Sequence, residues 1–182
     1  MKLKLIALSL LLLAVPSVCF AGPFGFEAGM SRKEIIDKLG AGAVVSQVGD
    51  SVTFNTAPTK SAYFSEYLCI FDQNNQLDSV TATSKPLKTK QAGEDLRDEF
   101  ERLKSALAEK YGVPLYTAGS PASGTKWEER IGQDFTNAVW DGGSPQAKTS
   151  HIEKIILSIQ VGTAEYGIFE LVYYFDNWKS AL

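Results

Sequence analysis

Lys154-Ile155-Ile156-Leu157-Ser158-Ile159-Gln160-Val161 and Ile168-Phe169-Glu170-Leu171-Val172-Tyr173-Tyr174-Phe175 are two apolar runs separated by a turn at Gly162 to Gly167. In the first, Ile155, Leu157, Ile159 and Val161 alternate with Lys154, Ile156, Ser158 and Gln160. In the second, Phe169, Leu171, Tyr173 and Phe175 alternate with Ile168, Glu170, Val172 and Tyr174. Successive side chains of a strand point to opposite sides of a sheet. Period-two patterning therefore gives this hairpin one strongly apolar face and one mixed face. Such a hairpin belongs to an antiparallel sheet, with helices covering a sheet face.

Those helices are readable upstream. Leu96, Phe100, Leu103, Leu107 and Tyr111 recur at helical spacing and share one face, and Gly112 and Pro114 end the run. Earlier, Ser31 is followed three residues later by Glu34, the capping-box spacing. Met30 and Ile35 flank the cap as a hydrophobic staple, and Gly40 stops the helix after Leu39. Strands are expected at Val44 to Val48, Val52 to Asn55, Tyr63 to Phe71 and Leu77 to Thr83, with Asp72-Gln73-Asn74-Asn75 as a turn. Lys85 to Gly93 reads as a linker. Ala118 to Gly124 and Gly142 to Ser150 read as loops.

The fold class is thus α+β: an antiparallel sheet covered by helices. Two tandem helix-plus-strands units, residues 22–84 and 94–182, packed as one globular body, are the expected organisation. Two internal similarities favour it. Lys38-Leu39-Gly40 resembles Lys110-Tyr111-Gly112, and Glu66 before Phe71-Asp72 resembles Glu170 before Phe175-Asp176.

The chain begins with Lys2 and Lys4, then an apolar run from Leu5 to Val15 broken only by Ser9, then Pro16 and Cys19-Phe20-Ala21. This is the pattern of a secretory signal peptide over residues 1–21, with cleavage between Ala21 and Gly22. The run is far short of the roughly 20 apolar residues of a membrane span. Val18 and Pro16 stand where a lipid-anchored Cys19 would be preceded by small and Leu-like residues, so a soluble, exported and periplasmic protein is expected, with no stable membrane anchor. Removing residues 1–21 takes two lysines and no acid, so the formal charge of −3 becomes −5. A mildly acidic chain without a basic cluster is a poor partner for nucleic acid.

Cys69 is then the one thiol left, and no internal disulfide can form. It lies in an apolar strand and is expected to behave as a small buried hydrophobe. His151 is the single histidine, and no serine has a nucleophile-elbow context. Glu128 and Glu129 are adjacent and would point to opposite strand faces. No cofactor or metal site is spelled out.

The segment from Gly29-Met30-Ser31 through Glu34-Ile35 and Leu39-Gly40 to Phe71-Asp72-Gln73-Asn74 resembles a known pattern. It is similar, over residues 26–84, to the small accessory lipoprotein of the bacterial β-barrel assembly machinery and its exported relatives. Ala41 stands where that family has a proline. The family groups with β-lactamase-inhibitor-protein-like folds, in which a helical layer packs on an antiparallel sheet. The resemblance implies a domain that presents a sheet face to another protein and performs no catalysis. The expected role is a non-catalytic protein-binding or cell-envelope accessory module whose partner is another envelope protein. Trp127, Val172 and Tyr174 are the expected contact residues. Two other readings are a small-ligand or lipid carrier, which needs an enclosed apolar cavity between helix and sheet, and a hydrolase using His151.

Overall fold

In a computed structural model, the described residues are 22–89, 94–119, 134–161, 163 and 165–176. The expected signal peptide, Trp127, Glu128, Glu129 and Trp178 lie outside them. The described residues form nine strands and three α-helices, a sheet-dominated α+β fold. In chain order these are α1 (Arg32–Leu39), β1 (Val44–Val48), β2 (Ser51–Phe54), β3 (Phe64–Phe71), β4 (Leu77–Ser84) and β5 (Leu87–Lys88). Then come α2 (Glu94–Tyr111), β6 (Tyr116–Ala118), β7 (Asp134–Asp141), α3 (Pro145–Thr149), β8 (Ile152–Val161) and β9 (Tyr166–Phe175).

Local chemistry fixes the ends of α1 as anticipated. The Ser31 hydroxyl accepts from the Glu34 amide at 3.3 Å, and the Ser31 amide donates to the Glu34 carboxylate at 2.7 Å. Gly40 closes the helix at φ +84° and Gly112 follows α2 at φ +87°, conformations that cost glycine little. The turn after β3 is built by Asp72, whose carboxylate accepts from the amides of Asn74 and Gln76, each at 2.9 Å. The Leu77 amide donates to the Met30 carbonyl at 2.8 Å, which ties this turn to the start of α1.

Two expectations need correction. The stretch read as a linker contains β5, because β4 ends at Ser84 while β9 still offers unpaired backbone at Tyr166 and Gly167, which Lys88 and Leu87 take up. The stretch read as a Gly-rich loop contains α3. Ser144 caps it by accepting from the Ala147 amide at 3.1 Å, and Pro145 occupies the first turn, where its missing N–H is no loss.

All strand pairs are antiparallel, and the sheet order is β1-β2-β3-β4-β9-β8-β7-β6, with β5 extending the β9 pairing. Each half runs from a helix into successive strands, and the halves join where β4 pairs β9, from Ser79 opposite Tyr174 to Thr83 opposite Glu170. The two Lys-x-Gly segments fall at corresponding helix ends. The Phe71-Asp72 and Phe175-Asp176 similarity does not correspond: it relates β3 to β9, an inner strand of one half to the joining strand of the other.

One row across the inward face reads Val52, Cys69, Val80, Tyr173, Ile155 and Trp140 on β2, β3, β4, β9, β8 and β7. All six are buried, and they share one apolar cluster with Ile35 of α1, Leu96 and Phe100 of α2, and Ala147 of α3. The three helices therefore cover the same side of the sheet. The Trp140 indole N–H donates to the Gly112 carbonyl at 2.7 Å, so the largest core side chain also holds the end of α2. At the seam, the Ser84 hydroxyl accepts from the buried Phe169 amide and donates to the Lys85 carbonyl, both at 2.9 Å.

Ser84→Ala leaves the Phe169 amide without its partner and should lower stability by about 1–3 kcal/mol. Trp140→Ala should cost about 3–5 kcal/mol by opening a core cavity. Urea denaturation followed by circular dichroism checks both, and a larger effect of Ser84→Ala than of Trp140→Ala would contradict this picture.

Candidate functional site

The other side of the sheet has no helix on it among the described residues. Its central row follows from the strand registers: Thr53, Leu68, Thr81, Val172, Ile156, Val139 and Tyr116, running from β2 to β6. Directly paired residues in a sheet approach closely enough for side chains to touch. Leu68, Val172, Ile156 and Val139 thus make an aliphatic band, interrupted once by the methyl-bearing Thr81. Tyr116 ends the band half exposed.

Two rows border it. On one side Ile70, Ser79, Tyr174, Lys154 and Asp141 lie in register, and the Lys154 ammonium stands 5.1 Å from the centre of the Tyr174 ring. On the other side Glu66, Thr83, Glu170, Ser158 and Asn137 lie in register. Gln160 donates to the Glu170 carboxylate at 2.7 Å. Three acids, Glu66, Glu170 and Asp141, against one base, Lys154, give the border an acidic balance.

The sequence-predicted contact residues Val172 and Tyr174 are therefore brought together on this face, both half-buried. Leu68, Ile70, Ile156 and Val139 were missed. Each lies on the alternate register of its strand, so period-two patterning carried the signal, but their alignment into one band depends on strand order.

His151 occupies the corner between α3 and β8, in a left-handed backbone conformation at φ +53°. Its Nδ1 lies 3.5 Å from the Asp176 carboxylate, and its carbonyl accepts from the Asp176 amide at 2.8 Å. These contacts clasp the start of β8 to the end of β9. Ser150, the neighbouring hydroxyl, is 6% exposed. Between α2 and the sheet, Leu96, Phe100, Trp140, Ile155 and Leu157 fill the space where a carrier would need a cavity. Among the described residues, no three His, Cys, Asp or Glu side chains group as a metal-binding set, and no helix is long and apolar enough to cross a membrane.

No family model, curated protein or solved structure matches this chain.

Cys69 is fully buried, and burial pushes its thiol well up from the ordinary value. Burial also raises the Tyr173 hydroxyl, with the neighbouring Tyr111 adding to the shift. An acid whose pKa rises on folding stays protonated in the native state while the unfolded chain ionises. Stability from these two groups is therefore complete below about pH 8 and falls as pH climbs past about 9 for Cys69 and about 10 for Tyr173, by up to about 1.4 kcal/mol per pH unit per group. Urea denaturation between pH 7 and 10 should show that decline, with a shallower slope for Cys69→Ala. A thiol reagent such as DTNB should label native Cys69 only as fast as the protein opens.

Proposed function

We propose that this chain is an exported, non-catalytic protein-binding module that docks on another envelope protein through the face of its sheet that no described helix covers. The observation that carries this reading is the aliphatic band Leu68, Val172, Ile156 and Val139, which with Thr81 crosses five strands on the side that no described helix covers. Leu68, Ile156 and Val172 are partly exposed and Val139 is 8% exposed, so a partner that covers the part still open to water gains free energy.

Size and charge support the reading. The seven strands of the central row, spaced by about 4.8 Å, span about 29 Å, and the central row with its two bordering rows occupies about 20 Å along the strands, giving an area on the order of 600 Å². A standard protein–protein interface takes about 800 Å² from each partner. The acidic border suits a partner whose apolar patch is rimmed by lysine or arginine. The resemblance of residues 26–84 to the accessory lipoprotein family points the same way. So does reading the halves as two tandem helix-plus-strands units joined at β4 and β9.

Export rests on the pattern of residues 1–21, with a periplasmic destination after cleavage between Ala21 and Gly22. Packing right after that bond agrees with it. Phe26 is fully buried, and Phe24 meets the rings of Phe64, Tyr67 and Tyr173 at 5.3–6.0 Å.

A photo-crosslinking residue placed at Val172 should capture one partner from envelope extract, and the same residue at Lys148 on α3 should not. Val172→Arg should abolish capture of that species by a crosslinker at Ile156, with the thermal midpoint shifted by only a few degrees. Capture that is equal from both sides of the sheet, or unaffected by Val172→Arg, would overturn the proposal.

A further inference from the structure

A second surface, distinct from the uncovered face, has the makings of a small-molecule site. Where the β2–β3 connection folds over the strand ends, a solvent-open hollow of about 590 Å³ forms between Asn55, residues 60–65, Tyr67 and Lys85. That volume falls within the range of about 300–1,000 Å³ occupied by ligand pockets. We propose that it binds a small anionic molecule rich in hydroxyl groups, an acidic sugar or a sugar phosphate.

Charge is the first argument. Two ammonium groups, Lys60 and Lys85, line the hollow, and no carboxylate does. Among the described residues, neither lysine has an acid within 4 Å. The chain as a whole is net acidic, so two lysines on one concavity, neither paired with a described acid, run against its average charge. Such a site favours an anion by direct attraction and by charge-assisted hydrogen bonds.

The remaining lining fits hydroxyl groups. Asn55, Thr56, Ser61 and Ser65 offer both donors and acceptors. The Ser61 oxygen already accepts from the amides of Tyr63 and Phe64, at 3.1 and 3.3 Å, which leaves its proton to donate. Tyr63 is partly exposed beside them, with the Arg102 guanidinium of α2 4.7 Å from its ring centre.

The wall is also fixed before any ligand arrives. The Thr59 amide donates to the Phe24 carbonyl at 2.8 Å, and the Tyr67 hydroxyl donates to the Phe64 carbonyl at 3.1 Å. Gly25 makes the first contact possible. At φ +75° it lies so close to the loop that a Cβ there would stand 2.9 Å from both Pro58 and Thr59. A preformed wall loses little conformational freedom on binding.

Calorimetric titration of the purified protein at low salt, with galacturonate, glucose 6-phosphate and glucose, tests the proposal and separates its two sources of charge. At least one charged sugar should bind saturably, and glucose should be at least about tenfold weaker. Lys60→Gln combined with Lys85→Gln should weaken the charged sugar by about 10- to 100-fold, and Lys148→Gln on α3 should leave it unchanged. Binding of galacturonate alone or glucose 6-phosphate alone would support the proposal and name the head group. No saturable binding by either, equal binding of glucose, or undiminished binding by the double variant would overturn it.

Discussion

The pairing of β4 with β9 is the constraint on which the rest of this structure depends. Without it the chain is two small sheets, each with a free edge and a modest core. With it, Val80 and Tyr173 become neighbours, and a single row of buried side chains runs from Val52 to Trp140. The same pairing continues the uncovered side, since Thr81 opposite Val172 links Leu68 in one half to Ile156 and Val139 in the other. Core and candidate interface are thus two faces of one backbone alignment. Ser84 finishes the seam where β4 runs out, supplying the Phe169 amide with an acceptor until β5 takes over.

Much of this architecture is legible in the sequence because its signals are local. The capping box at Ser31 and Glu34 and the stop at Gly40 define α1 without reference to anything distant. The alternation in residues 154–161 and 168–175 announces a hairpin whose two strands pair throughout. The failures have equally local causes. Ser144-Pro145 is an N-cap followed by a first-turn proline, yet the glycines beside it suggest a loop, and the helix it opens is short. β5 is two residues long and exists because another strand leaves backbone groups open to it.

What no local pattern shows is which strands become neighbours. Val172 and Tyr174 could be assigned to the mixed face of their strand from alternation alone. That Leu68, about a hundred residues earlier in the chain, lies in the same row required the strand order. The hollow at Lys60 and Lys85 has the same character. Its two cations belong to different connections, and its wall depends on Gly25 meeting Pro58 and Thr59. Binding surfaces assembled from distant segments are where sequence reading of a sheet protein falls short, because each segment alone resembles ordinary surface.

The seam at β4 also has a consequence for assembly in time. Strands β1 to β4 follow one another closely, so the first half can gather through short loops. β4 then presents an open edge until β9, the last strand in chain order, arrives from about ninety residues away. Closing so long a loop is slow relative to local pairing. During that interval the edge is a template for any other extended chain. Because synthesis begins at the amino end, the vulnerable interval lasts as long as synthesis of the second half. Selection on such a protein would act as strongly on guarding that half-built edge as on the finished surface.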